Sequence, residues 1–440
     1  MVGITKMKAE KQKAEKEAFF CTTKELSRLG LEQIPTQFQS HKHLIYSSPA
    51  TLAFNSPGAE GFGVKRAGLA VPDSIMLIVA PGCCGRNTSL ISSMKEYNDR
   101  FYYLMMDETD IVTGRHLKKI PKAVEEICSV CPKKPSVVMI CITCVDALLG
   151  TDMERVCKKA EEQVEIPVRP CYMYALTREG RKPPMVHVRQ SLYSLLEPGK
   201  KKGNVVNLLG FFSPLVDDCE IYDLLHSAGV KTIHEISRCK DYMEYQTMSE
   251  ANFNLVLHHE ARFAAEDFHN RLQIPFIELR RLYQIDKIEN QYHALGNALG
   301  VAFYDEKYKK QAEDALEKFR QRCPDASFAI GECLYADPFE LSLALIRYGF
   351  SVPEIYGTIT VENFTYIRSL AKISPETKVF SNMEPTMIYY DPAKSDVNLA
   401  IGKDACYYHP DCPYVMWNGE EQPYGYAGVR RLFEQLLEVV

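Results

Sequence analysis

The chain is 440 residues long, 46% hydrophobic and 25% charged, with a formal net charge of −5. That length holds two to four domains with several cores, and the charge excludes a polyanion-binding surface, so no nucleic-acid partner is expected. No apolar run approaches the roughly 18 residues of a membrane span, the Lys/Glu-rich N-terminus does not read as a signal peptide, and the 15 cysteines do not read as a disulfide framework. The expectation is a cytoplasmic chain with no membrane partner, whose thiols are partly metal ligands and mostly small buried hydrophobes.

In chain order, residues 1–20 alternate Lys, Glu and Ala and predict a solvated helix or frayed arm, taken as a helical arm over 1–50. From about residue 74 the pattern becomes strand, loop, helix. Strand-like runs fall at Ile75–Val79, Tyr102–Met106, Val137–Ile142 and Ile166–Arg169. Between them, Lys118–Cys128 reads as a helix with Leu117, Ile120, Val124 and Ile127 on one apolar face, and with Pro121 in its first turn. Residues 197–203 are a linker by composition. A second unit follows at Val205–Phe211, Val230–Ile236, Phe253–Leu257 and Ile274–Leu279. A long helical connection, Lys287 to Arg322, leads to a third unit at Ser327–Ile330, Val352–Gly357, Lys378–Ser381 and Thr386–Tyr390. A last helix, Ala427–Val440, carries Leu432, Phe433, Leu436 and Leu437. The expected class is α/β, with parallel sheets flanked by helices, in units over 51–200, 201–325 and 326–426 and a terminal helix over 427–440.

Several common motifs are missing or incomplete. There is no G-x-x-x-x-G-K-[ST] loop, and Gly58–Gly63 has no strand before it. No Gly-x-Ser-x-Gly and no His-Glu-x-x-His occurs, so hydrolase and zinc-protease chemistry lack support. Cys128-x-x-Cys131 with Cys141-x-x-Cys144 has the spacing of a zinc site. However, Val137–Ile142 suits a buried strand, in which Cys141 points away from Cys144 into the core.

Cys83, Cys84 and Cys144 differ from these. They follow the ends of buried strands, in loops that open helices, at the sheet edge where ligands bind in open α/β folds. Helix N-terminal amides favour thiolates and sulfides there. The tight turn Pro81-Gly82-Cys83-Cys84-Gly85 lets backbone approach a cluster closely.

These residues carry a family resemblance. Pro81–Gly85 resembles the Gly-Pro-x-Gly-Cys turn of nitrogenase component 1 and its relatives. Those relatives are the dark-operative protochlorophyllide reductase, the chlorophyllide reductase and the nickel-tetrapyrrole reductase of methanogens. Asp107–Gly114 is similar to the family's Glu-x-Asp-x-Val-x-Gly. Cys144 with Leu149–Met153 is similar to its Cys-x-x-x-Leu-Ile-Gly-Asp-Asp-Ile. Asn252–His259 with Ile274-Pro275 resembles its middle unit, and Gln422–Gly428 its Gly-Pro-Tyr-His-Gly-x-x-Gly. The resemblance runs from about residue 50 to the end.

It implies three Rossmann-like domains and an iron–sulfur cluster at a subunit interface, held by Cys144 and by Cys84 or Cys83. It also implies electrons supplied by a separate, ATP-hydrolysing iron–sulfur reductase. The family's first cluster cysteine falls near Ala59, where no thiol exists and Glu60 offers only a carboxylate. Two ligands per chain complete a 4Fe–4S cluster across a homodimer or a heterodimer with a related subunit; a larger cluster needs Cys83 as well. The Cys and His that hold the second nitrogenase metallocofactor fall near His258 and His259, and near Met416 and Trp417. That pair is missing, so dinitrogen reduction is not expected. The interdomain cleft still offers His258, His259, Cys406, His409 and Cys412 to a second metallocofactor or a tetrapyrrole, Cys406-x-x-His409-x-x-Cys412 being a soft-metal spacing. Asp107 and Asp110 are expected to hold their loop and cap the next helix, and Arg86 to balance cluster charge. No catalytic residue is assigned.

The leading expectation is a reductase catalytic subunit passing low-potential electrons through the cluster to an unnamed substrate. The alternatives are a scaffold for metallocofactor assembly and a plain binding protein with core cysteines.

Overall fold

The structure, a computed structural model, describes residues 17–39, 50, 63–82, 97–143, 145–146, 149–172 and 182–440. Its strands, numbered in chain order, form three sheets. The first contains β2 (Ile75–Ala80), β3 (Phe101–Met105), β4 (Val138–Ile142) and β5 (Val168–Tyr172), all parallel, in the order β3-β2-β4-β5. The second repeats that order with β6 (Val205–Leu209), β7 (Thr232–His234), β8 (Phe253–Val256) and β9 (Phe276–Glu278), as β7-β6-β8-β9. The third contains β1 (Phe20–Thr22), β10 (Ser327–Ile330), β11 (Ser351–Tyr356), β12 (Lys378–Phe380), β13 (Leu399–Ile401) and β14 (Tyr414–Val415), ordered β1-β12-β11-β10-β13-β14. This is the expected α/β class.

The apolar runs become strands because both faces of a parallel sheet are covered. β4 shows the period of two. Val138, Ile140 and Ile142 enter a cluster on one face, with Ile120, Val124 and Ile127 of the helix His116–Val130. Met139 and Cys141 enter the cluster on the other face, which continues into Leu209, Val256 and Phe268 of the second unit. A third cluster joins Leu208 and Leu255 to Phe328, Ile401 and Phe433, so the second and third sheets share a core.

Several expectations change. The arm is not free where it is described: β1 pairs antiparallel with β12, Cys21 opposite Val379, and the helix Thr23–Leu29 follows with a Thr22/Glu25 capping box. Thr386–Tyr390 is not a strand. Pro385 starts a 3-10 turn, Pro385–Tyr389, because its fixed φ and missing N–H suit a helical first position. Pro121 lies in the second turn of its helix, since that helix starts at His116. The long connection is two helices, Ile285–Leu299 and Glu306–Arg322, broken after Gly300 at φ +70°.

In the first two sheets the strand order reverses between the first and third strands of each unit, β2/β4 and β6/β8. In the third it reverses between β10 and β13. Those reversals open crevices at the strand C-termini, where α/β sheets bind ligands.

Candidate functional site at the strand reversals

At the first crevice, β2 and β4 run side by side with Val79 opposite Ile142. Cys83, Cys84 and Cys144, like Arg86, Ala59 and Glu60, lie outside the described residues. Before Cys83, the Tyr103 hydroxyl donates to the Ala80 carbonyl at 3.0 Å and also to that of Pro81. Beyond β4 lies a pair that sequence reasoning missed. His116 Nε2 is 2.9 Å from Asp146 Oδ1, both side chains being fully buried, and Thr151 Oγ1 donates to the same oxygen at 3.1 Å. His116 Nδ1 meets the Asp110 carbonyl at 3.0 Å, so both ring nitrogens are engaged. Asp146 Oδ2 and Thr143 Oγ1 are buried without a hydrogen-bond partner among the described residues. The signal was available: a His and an Asp, each two residues past a motif residue (Gly114, Cys144), inside apolar surroundings.

Asp107 and Asp110 act as expected. Asp107 caps the helix Glu108–Thr113 and Asp110 closes the capping box. Lys119 and then Arg115 hold the Asp110 carboxyl well below the usual carboxylate range.

Of the four cysteines with zinc-site spacing, the three described ones do not gather. Cys141 stands opposite Cys171 on β5, both fully buried, and the Cys141 thiol together with burial holds the Cys171 thiol well above its usual range. Cys128 and Cys131 pack on the other face, where Cys131 Sγ lies 3.1 Å from the Tyr102 hydroxyl.

The second and third crevices meet in one cleft. Gly210, at φ +147° after β6, lets the loop after β8 close over it: a Cβ there would lie 2.8 Å from the His258 nitrogen. Phe211 then contacts the His258 ring at 5.7 Å, and His258 contacts His259 at 4.4 Å. His258 Nδ1 accepts the Glu260 N–H at 3.4 Å. Burial, then His259, Arg189 and Arg281, hold its imidazole well below the usual pKa. It is therefore neutral at pH 7, with its remaining proton on Nε2.

From the third sheet come Tyr335 and Trp417. The Tyr335 N–H donates to the Trp417 carbonyl at 2.9 Å, Trp417 Nε1 to the Tyr283 hydroxyl at 2.6 Å, and that hydroxyl to the Tyr335 carbonyl at 2.6 Å. Trp417 is buried in the left-handed region at φ +45°, an uncommon conformation for a bulky residue.

Arg281, just past β9, bridges the two halves. Its guanidinium lies over Phe211 at 4.5 Å and Tyr335 at 5.2 Å, and donates from Nη2 to Gln422 at 2.7 Å. Its Nε is buried with no partner among the described residues. Three arginines near it are neutralised: Arg66 by Glu420, Arg189 by Glu260, Arg262 by Glu278. No carboxylate among the described residues pairs with Arg281. Desolvating such a cation costs several kcal/mol. Two ring contacts offset roughly 1–4 kcal/mol, and one hydrogen bond to a charge about 1.5–3 kcal/mol.

The five-residue second site separates. Only the side chains of His258 and His259 meet. His409 is buried against Glu354 at 3.1 Å, Tyr390 at 2.8 Å and Tyr356 at 3.2 Å. Cys412 donates to the Val397 carbonyl at 3.6 Å, and burial pushes the Cys406 thiol up to about 12. Among the described residues no three His, Cys, Asp or Glu side chains gather as a metal-holding group. The buried Glu354 carboxylate explains the correction, because it captures the histidine that would have been a ligand.

The model of the family described as nitrogenase component 1 type oxidoreductase matches residues 60–440. A nitrogenase iron-molybdenum cofactor biosynthesis protein NifE from Sinorhizobium fredii is 25% identical over 418 residues, 89% of this chain and 82% of that protein. The protein of that name from Mesorhizobium japonicum is 26% identical over the same shares. The one from Nostoc sp. is 25% identical over 61% of this chain and 58% of its own length. Among solved structures, nitrogenase Cp1 at pH 6.5 superposes with a TM-score of 0.69 at 18% identity, covering 90% of this chain and 92% of that one. No helix among the described residues is long and apolar enough to cross a membrane.

Proposed function

Because this chain belongs to the nitrogenase component 1 type oxidoreductase family, we propose that it is a scaffold on which a metallocofactor is assembled. The observation that carries the reading is Trp417. It stands where the resemblance places the cofactor-binding histidine, its indole nitrogen is donor-only, and its proton is committed to Tyr283. Trp417 therefore offers a cofactor no ligand, and His258 has its Nδ1 lone pair engaged. A metallocofactor held without these two ligands is one that can be released again, as a scaffold requires. The names of the NifE relatives point the same way.

In this proposal Cys144 and Cys84 or Cys83 hold an iron–sulfur cluster, 4Fe–4S by ligand count, shared with a second copy or a related subunit. That cluster supplies electron transfer when bound, with electrons from an ATP-hydrolysing iron–sulfur reductase. The buried orphan atoms Thr143 Oγ1 and Asp146 Oδ2, which flank Cys144 in sequence, are suited to a polar group at that strand end. A second reading, a reductase acting on a substrate of its own, has the family's oxidoreductase description in its favour.

The test is anaerobic purification followed by two incubations. With a cofactor-free acceptor protein, a scaffold releases iron to the acceptor. With the reductase partner, ATP and candidate substrates, a reductase turns over. Turnover without release overturns the scaffold reading. Cys84→Ala and Cys144→Ala are each expected to lower iron per chain; full iron in both ends the ligand assignment.

A further inference from the structure

We propose that Arg281, with the N–H of His258, recognises an oxyanionic group, a carboxylate or a phosphate, on the molecule that enters the cleft. The inference deepens the scaffold reading by giving the bound molecule a charge and a chemistry. It stands on geometry that does not involve the cluster cysteines.

Three observations carry it. The first is the charge census. Arg66, Arg189 and Arg262 each have a carboxylate at 2.7–2.8 Å, whereas buried Arg281 has none among the described residues. A guanidinium has five donors in a planar fork that matches a carboxylate or phosphate edge. Here one amide oxygen is its only hydrogen-bond partner among the described residues, and Nε has none among them. The second is placement. Arg281 and His258 both contact the Phe211 ring, at 4.5 and 5.7 Å, which puts both donor groups beside one ring at a strand reversal. The third is the donor character of His258. With Nδ1 accepting the Glu260 N–H, its Nε2–H is a donor, complementary to an anion rather than to a metal ion. Contacts with two rings, Phe211 and Tyr335, restrain the guanidinium.

The protein carries its own reporter. Trp417 is the only tryptophan of the chain and is tied through Tyr283 to Tyr335, the ring that lies over Arg281. The experiment titrates the full-length, metal-free protein with inorganic phosphate and, separately, with citrate at constant ionic strength, with chloride as control. Trp417 emission and calorimetry are recorded. Saturable binding of phosphate or citrate is expected, and the tighter of the two identifies the source of the oxyanion.

Arg281→Gln should weaken that binding at least about tenfold, the effect of one charge-assisted hydrogen bond. A second variant guards against loss of fold. Gln422→Glu puts a carboxylate at the oxygen that already accepts from Arg281, so the protein should stay folded while anion affinity falls by a similar factor. Absence of binding in the wild type, or unchanged affinity in a folded Gln422→Glu protein, overturns the proposal. Iron content and release to an acceptor are measured on the same variants loaded with cofactor. Lost anion binding with retained iron release separates this site from the scaffold reading, and intact anion binding with no release refutes the scaffold alone.

Discussion

Gly425 opens the last helix, Gly425–Val439, within a segment that first stood out as a family-like motif. Its role is steric. At φ +59° it brings the following amides onto the buried Glu220 carboxylate, which accepts from the Tyr426 N–H at 2.6 Å, the Ala427 N–H at 3.0 Å and the Tyr292 hydroxyl at 2.6 Å. A Cβ at Gly425 would lie 1.9 Å from Glu220 Oε1 and 2.3 Å from the Tyr292 oxygen, so the carboxylate must leave. Gly425→Ala therefore pays left-handed strain of roughly 1–2 kcal/mol and orphans two buried amides at about 1–3 kcal/mol each. The total is about 3–8 kcal/mol, a large share of the usual 5–15 kcal/mol of folding stability. Gly300→Ala is the control, because Gly300 has φ +70° but nothing within 4 Å of its Cβ position, which leaves only the strain. Urea unfolding followed through Trp417 emission compares the two variants at constant m. Equal midpoints, within about 0.5 kcal/mol, would refute the carboxylate argument.

Two further outcomes follow from buried charges. Burial raises the Glu340 carboxyl from 4.5 to about 7, although it accepts the Tyr283 and Gln284 N–H groups. A raised folded pKa means the native state keeps a proton that the unfolded chain releases, so this group's stabilisation is full below pH 4.5 and is lost as pH rises through 7. Glu340→Gln should flatten the decline between those values, by up to about 3 kcal/mol; an identical pH slope in both proteins would count against it. At the first crevice, His116→Ala leaves the Asp146 carboxylate buried with Thr151 alone, at a cost of about 3–5 kcal/mol. In the His116→Ala/Asp146→Ala cycle the double variant should lose less than the sum of the singles; strict additivity would remove the dyad from the argument.

The fold was legible where its signal is local. Ile75–Val79, Val137–Ile142 and Phe253–Leu257 are apolar runs too short for helices, and the helix around Ile120, Val124 and Ile127 repeats with the helical period. β13 and β14 were not legible. Leu399–Ile401 and Tyr414–Val415 span three and two residues, too short for any periodicity, and exist because β10 offers them an open edge. β1 likewise lies in a polar arm and becomes a strand only by pairing with β12.

The site divides in the same way. Sequence alone determined that Cys141 belongs to a core strand and that Asp107 caps a helix, because both follow from neighbours a few residues away. It also marked the strand ends at which ligands are expected. Only the tertiary structure decided that His409 is spent on Glu354, that His116 reaches Asp146 across 30 residues, and that Trp417 is committed to Tyr283 across 134. The lack of a carboxylate at Arg281 is of the same kind. Whether a charge is paired depends on every element packed around it, and that is decided by how three sheets meet rather than by any one segment.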